Sequence, residues 1–106
     1  MYTPKVGEHL YTYTPNTGYY YIGLVRDPWT VISVKGKTIT VQEARCIFPT
    51  PCYYDTLPLD IVENPNGRTM TMRWSEKYQR WQESPLRGGC PRVAVFGNWD
   101  YYPYLD

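Results

Sequence analysis

The chain has 106 residues, with eleven Lys and Arg against ten Asp and Glu, and its aromatic content is skewed to twelve Tyr and four Trp against two Phe. That length supports one hydrophobic core, and ten prolines with eight glycines interrupt it too often for long helices. A formal net charge of +1 excludes the strong basic field of a general nucleic-acid binder, and no apolar run approaches the roughly 18 residues that cross a bilayer.

Taken in chain order, Met1-Tyr2-Thr3-Pro4-Lys5 lacks the apolar centre of a signal peptide, so a soluble, non-secreted protein with no membrane partner is expected. Glu8 to Thr14 alternates as a strand, with His9, Tyr11 and Tyr13 on one side and Leu10 and Thr12 on the other. Pro15-Asn16-Thr17-Gly18 is turn chemistry, Tyr19 to Val25 is the returning arm, and Arg26-Asp27-Pro28 should close it. A further strand, Trp29 to Val34, places Trp29, Val31 and Ser33 on one face and Thr30, Ile32 and Val34 on the other. Gly36 in Lys35-Gly36-Lys37 takes positive φ cheaply, and Thr38 to Gln42 completes a hairpin.

Glu43 to Phe48 either continues that strand past a bulge or makes one helical turn. Pro49 to Pro58 reads as a long irregular loop, and Asn64-Pro65-Asn66-Gly67 as a turn in which Asn-Gly tolerates left-handed geometry. Arg68 to Trp74 alternates with Met70, Met72 and Trp74 on one face. After a turn at Ser75 to Tyr78, Gln79 to Glu83 returns; Ser84 to Pro91 is a loop, Arg92 to Phe96 a last strand, and Asn98 to Tyr104 an aromatic tail. The expectation is a single all-β domain over residues 1–106, an antiparallel meander closing into a small barrel or strongly bent sheet. Its inside should hold at least two tryptophans together with Ile32, Ile39, Val41, Val93 and Val95.

Catalytic chemistry has little to stand on. His9 is the sole histidine and has no Ser or Cys motif around it, so an acid–base pair would have to come from folding, as with Asp55 and Glu63. Arg87-Gly88-Gly89-Cys90 is too short for a phosphate loop. Cys46, Cys52 and Cys90 with His9 could be written as a zinc set, but they come singly and not in close pairs; small buried thiols are the plainer reading, and Cys46 and Cys52 flank a turn that would let them pair if oxidised. No catalytic residue, metal or cofactor is assigned, and an enzyme is not expected.

The Tyr and Trp surplus points to contact, because these rings pair an apolar body with a polar handle. Trp74, Trp81 and Trp99 with Met70 and Met72 could anchor a partner, but part of that set is required for the core. The candidate partner-binding residues are therefore Tyr11, Tyr13, Tyr19, Tyr21, Tyr53, Tyr54, Trp99, Tyr101, Tyr102 and Tyr104. A second reading is a small nucleotide held by stacking, at about 1–3 kcal/mol per base, with Arg73, Arg80, Arg87 and Arg92 supplying the cations. Open strand edges leave a homo-oligomer formed by sheet extension as a further partner, and a minor structural component of a virion as a third class.

From Val25 onward the order of pieces resembles a family of small proteins of unassigned function encoded by bacteriophages and prophages. The resemblance is carried by the strand-turn-strand Trp29 to Gln42, the Asn64-Pro65-Asn66-Gly67 turn, the Arg80-Trp81 pair at a strand, and the aromatic end Trp99-Asp100-Tyr101-Tyr102. The Tyr-rich first hairpin and the Pro-rich loop around Cys52 depart from it. It implies a phage accessory protein working in the cytoplasm of a bacterial host, and from that context a non-enzymatic inhibitor of a host or defence protein is expected, acting through the aromatic surface.

Overall fold

Period two becomes structure most plainly at Thr38 to Glu43, where Ile39 and Val41 are buried and the residues between them are only half-covered. The computed structural model describes residues 1–16, 23–50, 60–85, 90–99 and 104–105. Among them the strands are β1 (His9–Asn16), β2 (Gly23–Lys35), β3 (Thr38–Glu43), β4 (Arg45–Ile47), β5 (Asp60–Val62), β6 (Thr69–Ser75), β7 (Arg80–Glu83), β8 (Val95–Phe96) and β9 (Tyr104–Leu105). No described residue is helical. The fold is all-β, an antiparallel sheet in the order β7-β6-β3-β2-β1-β8 that curls into a half-barrel. β9 pairs with β2 at Leu24 and Val25, beyond the end of β3, while β4 and β5 form a separate two-stranded ribbon.

The concave face buries Leu10, Trp29, Val31, Ile39, Val41, Met70, Met72 and Trp81, with Val34, Trp74, Ala94 and Phe96 packed against them. Trp29 brings a polar atom inside, and its Nε1 donates to the Oγ1 of fully buried Thr12 at 2.8 Å. That bond removes the penalty of about 1–3 kcal/mol that an unpaired buried donor would carry.

The two edges of the curl are joined by one short segment, residues 92–96. Its first half lies beside β7, where Glu83 N–H donates to Arg92 O and Ala94 N–H donates to Trp81 O, each at 2.9 Å. Its second half is β8, with Phe96 opposite Leu10 and Val95 opposite Tyr11 on β1. Directly opposed residues share a face of the sheet, so Phe96 joins Leu10 inside and Val95 is left 43% exposed. Val95 is therefore not the core residue that composition suggests, and Val93 is only half-buried.

Ile32 is a second correction, with a local cause. Val31 opposes Val41 but Ser33 opposes Thr40, so β2 carries one extra residue at this point. The bulge reverses the alternation: Val34, not Ser33, follows Val31 onto the core, and Ile32 is 40% exposed. The Gly36-Lys37 loop beyond it behaves as the sequence requires, with Gly36 at φ +61° and Lys35 opposite Thr38.

Arg26-Asp27-Pro28 does not end a strand; β2 runs through it for 13 residues. Pro28 is tolerated because it sits just past the last rung beside β3, where only its carbonyl is used, accepting from Ala44 N–H at 2.9 Å. Residues 43–48 make no helical turn, since β4 pairs with β5 through Cys46 and Ile61. The Asn64 turn forms as expected, with Gly67 N–H donating to Asn64 O at 2.9 Å, but Gly67 is required for a different reason. A Cβ there would lie 2.2 Å from the Glu43 carbonyl oxygen, so the glycine permits close approach of two backbones.

The bulge separates neighbouring side chains by environment, which unfolding experiments can read. Val31→Thr places a hydroxyl in the core and should cost about 1–3 kcal/mol, whereas Ile32→Thr should stay within about 0.5 kcal/mol. Equal losses from the two variants in chemical denaturation would contradict the register described.

Candidate functional site

The β6–β7 hairpin, the closing segment and the N-terminal arm meet around an open cleft of about 590 Å³, lined by Tyr2, Glu8, Trp74, Gln79, Arg80, Trp81, Ala94, Phe96 and Gly97. Register builds most of it. Trp74 and Trp81 are directly opposed across β6 and β7, and both belong to the inward parity of their strands. Their rings meet edge to face, 5.9 Å apart at 63°. Trp81 is the floor, 2% exposed, and its Nε1 donates to the backbone carbonyl of Tyr2 at 2.8 Å, which holds the N-terminal arm against the sheet. The Tyr2 ring then lies 5.1 Å from that of Phe96.

Polar groups sit on the walls. The Tyr2 hydroxyl donates to Glu8 Oε2, and the Lys5 backbone N–H donates to Glu8 Oε1 at 3.1 Å. The bond to Glu8, with smaller contributions from burial and from the Glu8 charge, holds the Tyr2 phenol above its ordinary pKa. Arg80, at the rim, donates from Nε to Gln82 Oε1 at 2.9 Å, and its guanidinium lies 4.7 Å from the centre of the Tyr78 ring. Gln79 closes the turn with φ +53°, a left-handed backbone uncommon for a side-chain-bearing residue, and its amide donates to Glu76 O at 2.8 Å. The size lies within the about 300–1,000 Å³ typical of ligand sites.

Of the residues expected to form a contact surface, Tyr11, Tyr13 and Trp99 lie away from this cleft. Tyr11 is only 5% exposed, and its hydroxyl donates to Asn98 O at 2.5 Å, so it is a structural residue and not a contact one. Trp99 stacks on His9 with ring centres 3.6 Å apart and planes 5° from parallel, and its Nε1 donates to Trp29 O at 3.2 Å. The stretch Gly97 to Trp99 thus lies across the outer face of β1 and covers it. Tyr13 is half-buried on that same face, and Tyr104 pairs through its backbone with Val25. Tyr19, Tyr21, Tyr53, Tyr54, Tyr101 and Tyr102 lie outside the described residues.

The arginine set is dispersed. Arg73 is exposed on the outer face of β6 opposite Gln82, with Arg80 next on the same face. Arg92 belongs to the inner parity, 6.0 Å from the centre of the Trp29 ring, and Arg87 lies outside the described residues. Tyr2, Glu8 and Phe96 were not legible as site residues. Trp74 and Trp81 stand in the sequence as possible anchors on successive strands, but nothing local indicated that they would be directly opposed or that an N-terminal arm would close over them.

Other chemistry is sparse among the described residues. No three His, Cys, Asp or Glu side chains gather to hold a metal ion there, and Asp55 and Cys52 lie outside. A second opening of about 540 Å³ runs past Asp27, Glu43, Cys46, Phe48 and Arg68. Burial, with the nearby charges of Asp27 and Glu43, pushes the Cys46 thiol above its ordinary pKa. No helix among the described residues is long and apolar enough to cross a membrane.

Comparison of the chain with protein-family models, with characterised proteins and with solved structures gives no match.

A thiol raised in this way is a poor nucleophile, because the thiolate is the reactive form. In a Cys52→Ser background, exposed Cys90 should be alkylated by iodoacetamide at pH 8 at least about tenfold faster than Cys46. Equal rates, followed by peptide mass mapping, would contradict the environment assigned to Cys46.

Proposed function

We propose that the chain is a non-enzymatic accessory protein that binds and inhibits a host or defence protein, with the cleft of Tyr2, Trp74, Trp81 and Phe96 as the anchor site. The observation that carries this reading is the half-buried Trp74 standing beside Trp81 and Phe96 in an opening that no described part of the chain fills. Aromatic residues set in a pocket are the side chains that dominate binding energy at protein interfaces. Catalysis has less support, since the carboxylate of the cleft is occupied by the Tyr2 hydroxyl and His9 is stacked beneath Trp99 on another face. The resemblance from Val25 onward to phage and prophage proteins supplies the setting, a bacterial host cytoplasm.

A second reading, a sponge for a small nucleotide, is favoured by Arg80 at the rim of an aromatic cleft. It is weakened by Glu8 on the same cleft, which repels phosphate, and by Arg73 and Arg92 standing on other surfaces.

The two readings separate in one pair of experiments. Immobilised protein should retain a specific partner from a bacterial lysate, and Tyr2→Ala and Trp74→Ala, checked for folding by circular dichroism, should each weaken that complex by at least about 2 kcal/mol, or roughly thirtyfold. A thermal-shift screen of linear and cyclic nucleotides should show no stabilisation. A shift matching the about 2.7 kcal/mol expected at 100 times Kd, lost in Arg80→Ala, would replace the first reading with the second.

A further inference from the structure

The cleft has a charge as well as a shape. Glu8 is half-buried on its wall, and the donors it has are neutral: the Tyr2 hydroxyl on Oε2 and the Lys5 backbone N–H on Oε1. No lysine, arginine or histidine among the described residues makes a salt bridge to it, although Lys37 with Glu76 and Arg68 with Glu43 do pair elsewhere. Arg80, the cation in the described lining, donates from Nε to Gln82 and lies against the Tyr78 ring. The cleft therefore presents a carboxylate with no ion-pair partner among the described residues, beside the rings of Tyr2, Trp74, Trp81 and Phe96, and aromatic faces also attract cations.

Such a lining selects among side chains. An anionic group would meet Glu8 directly, and a wholly apolar one would take water from the carboxylate without giving it a partner. A cation on an apolar stem satisfies both surfaces. Each oxygen of Glu8 already accepts one hydrogen bond, so a guanidinium fork would need the last lone pair of both oxygens in one plane, whereas a compact ammonium needs only one of them.

Resting on the reading that the cleft anchors a protein partner, we infer that the anchored group is a lysine side chain of that partner, its alkyl stem on Trp74 and Phe96 and its ammonium at Glu8.

The inference is tested on the full chain by titrating two small probes, N-acetyl-lysine methylamide and N-acetyl-norleucine methylamide, which share a backbone and nearly the same stem and differ in the ammonium. Indole N–H resonances of Trp74 and Trp81, assigned with tryptophan variants, report binding. The lysine probe should bind about fivefold to tenfold more tightly than the norleucine probe, and Glu8→Gln, which keeps an acceptor for Tyr2, should remove the difference. Equal binding of the two probes, or a preference for norleucine, overturns the lysine inference and leaves the cleft standing as an apolar anchor site. Absence of any shift at the Trp74 and Trp81 indoles with either probe overturns both.

Discussion

A short sheet with one apolar face has to hide that face, and with no described helix to cover it this chain does so by curling. The constraint is met by residues 92–96, which hydrogen-bond to β7 at one end and pair with β1 at the other. Everything on the concave side depends on that double pairing. It brings Ala94 against Trp81, sets Phe96 beside Leu10, and converts the exposed edges of β7 and β1, each a site for unwanted strand pairing, into a joined seam.

The cleft is a consequence of the same seam. Because the closing segment is so short, the curl is bridged but not filled, and the space beside Trp74 is left open to the N-terminal arm. Trp81 ties that arm down by donating to Tyr2 O, and Tyr2 in turn reaches Glu8. The chain leaving β8 then turns back over the convex face, where Asn98 accepts from Tyr11 and Trp99 stacks on His9. Both faces of β1 are thereby occupied, the inner one by the core and the outer one by the polypeptide that closed it.

The fold class was legible because period-two alternation is a local property: Ile39 with Val41, and Met70 with Met72, declare their face within a few residues. The Gly36 turn was legible for the same reason. Ile32 was not, since a single inserted residue changes the parity of everything after it without changing composition. Pro28 reads as a break from sequence because its tolerance depends on where β3 ends, a fact of pairing and not of the chain itself. The candidate site shows the same division. Trp74 and Trp81 could be put on successive strands, but their register could not be read, while Tyr2, Glu8 and Phe96 come from opposite ends of the chain and meet only through the seam. Tyr11 reads as a contact residue from sequence because a tyrosine on a strand looks the same whether or not a later segment covers it.

The seam carries the account, and amide hydrogen exchange measures it residue by residue. If residues 92–96 join β7 to β1, the N–H groups of Glu83, Ala94 and Gly97, which donate to Arg92, Trp81 and His9 at 2.9, 2.9 and 3.1 Å, should exchange as slowly as those of Val41 and Met72 in the centre of the sheet. Exchange of Ala94 and Gly97 at the rate of an open edge, with Val41 and Met72 still protected, would show a sheet that is not closed and would remove the wall on which the cleft is built.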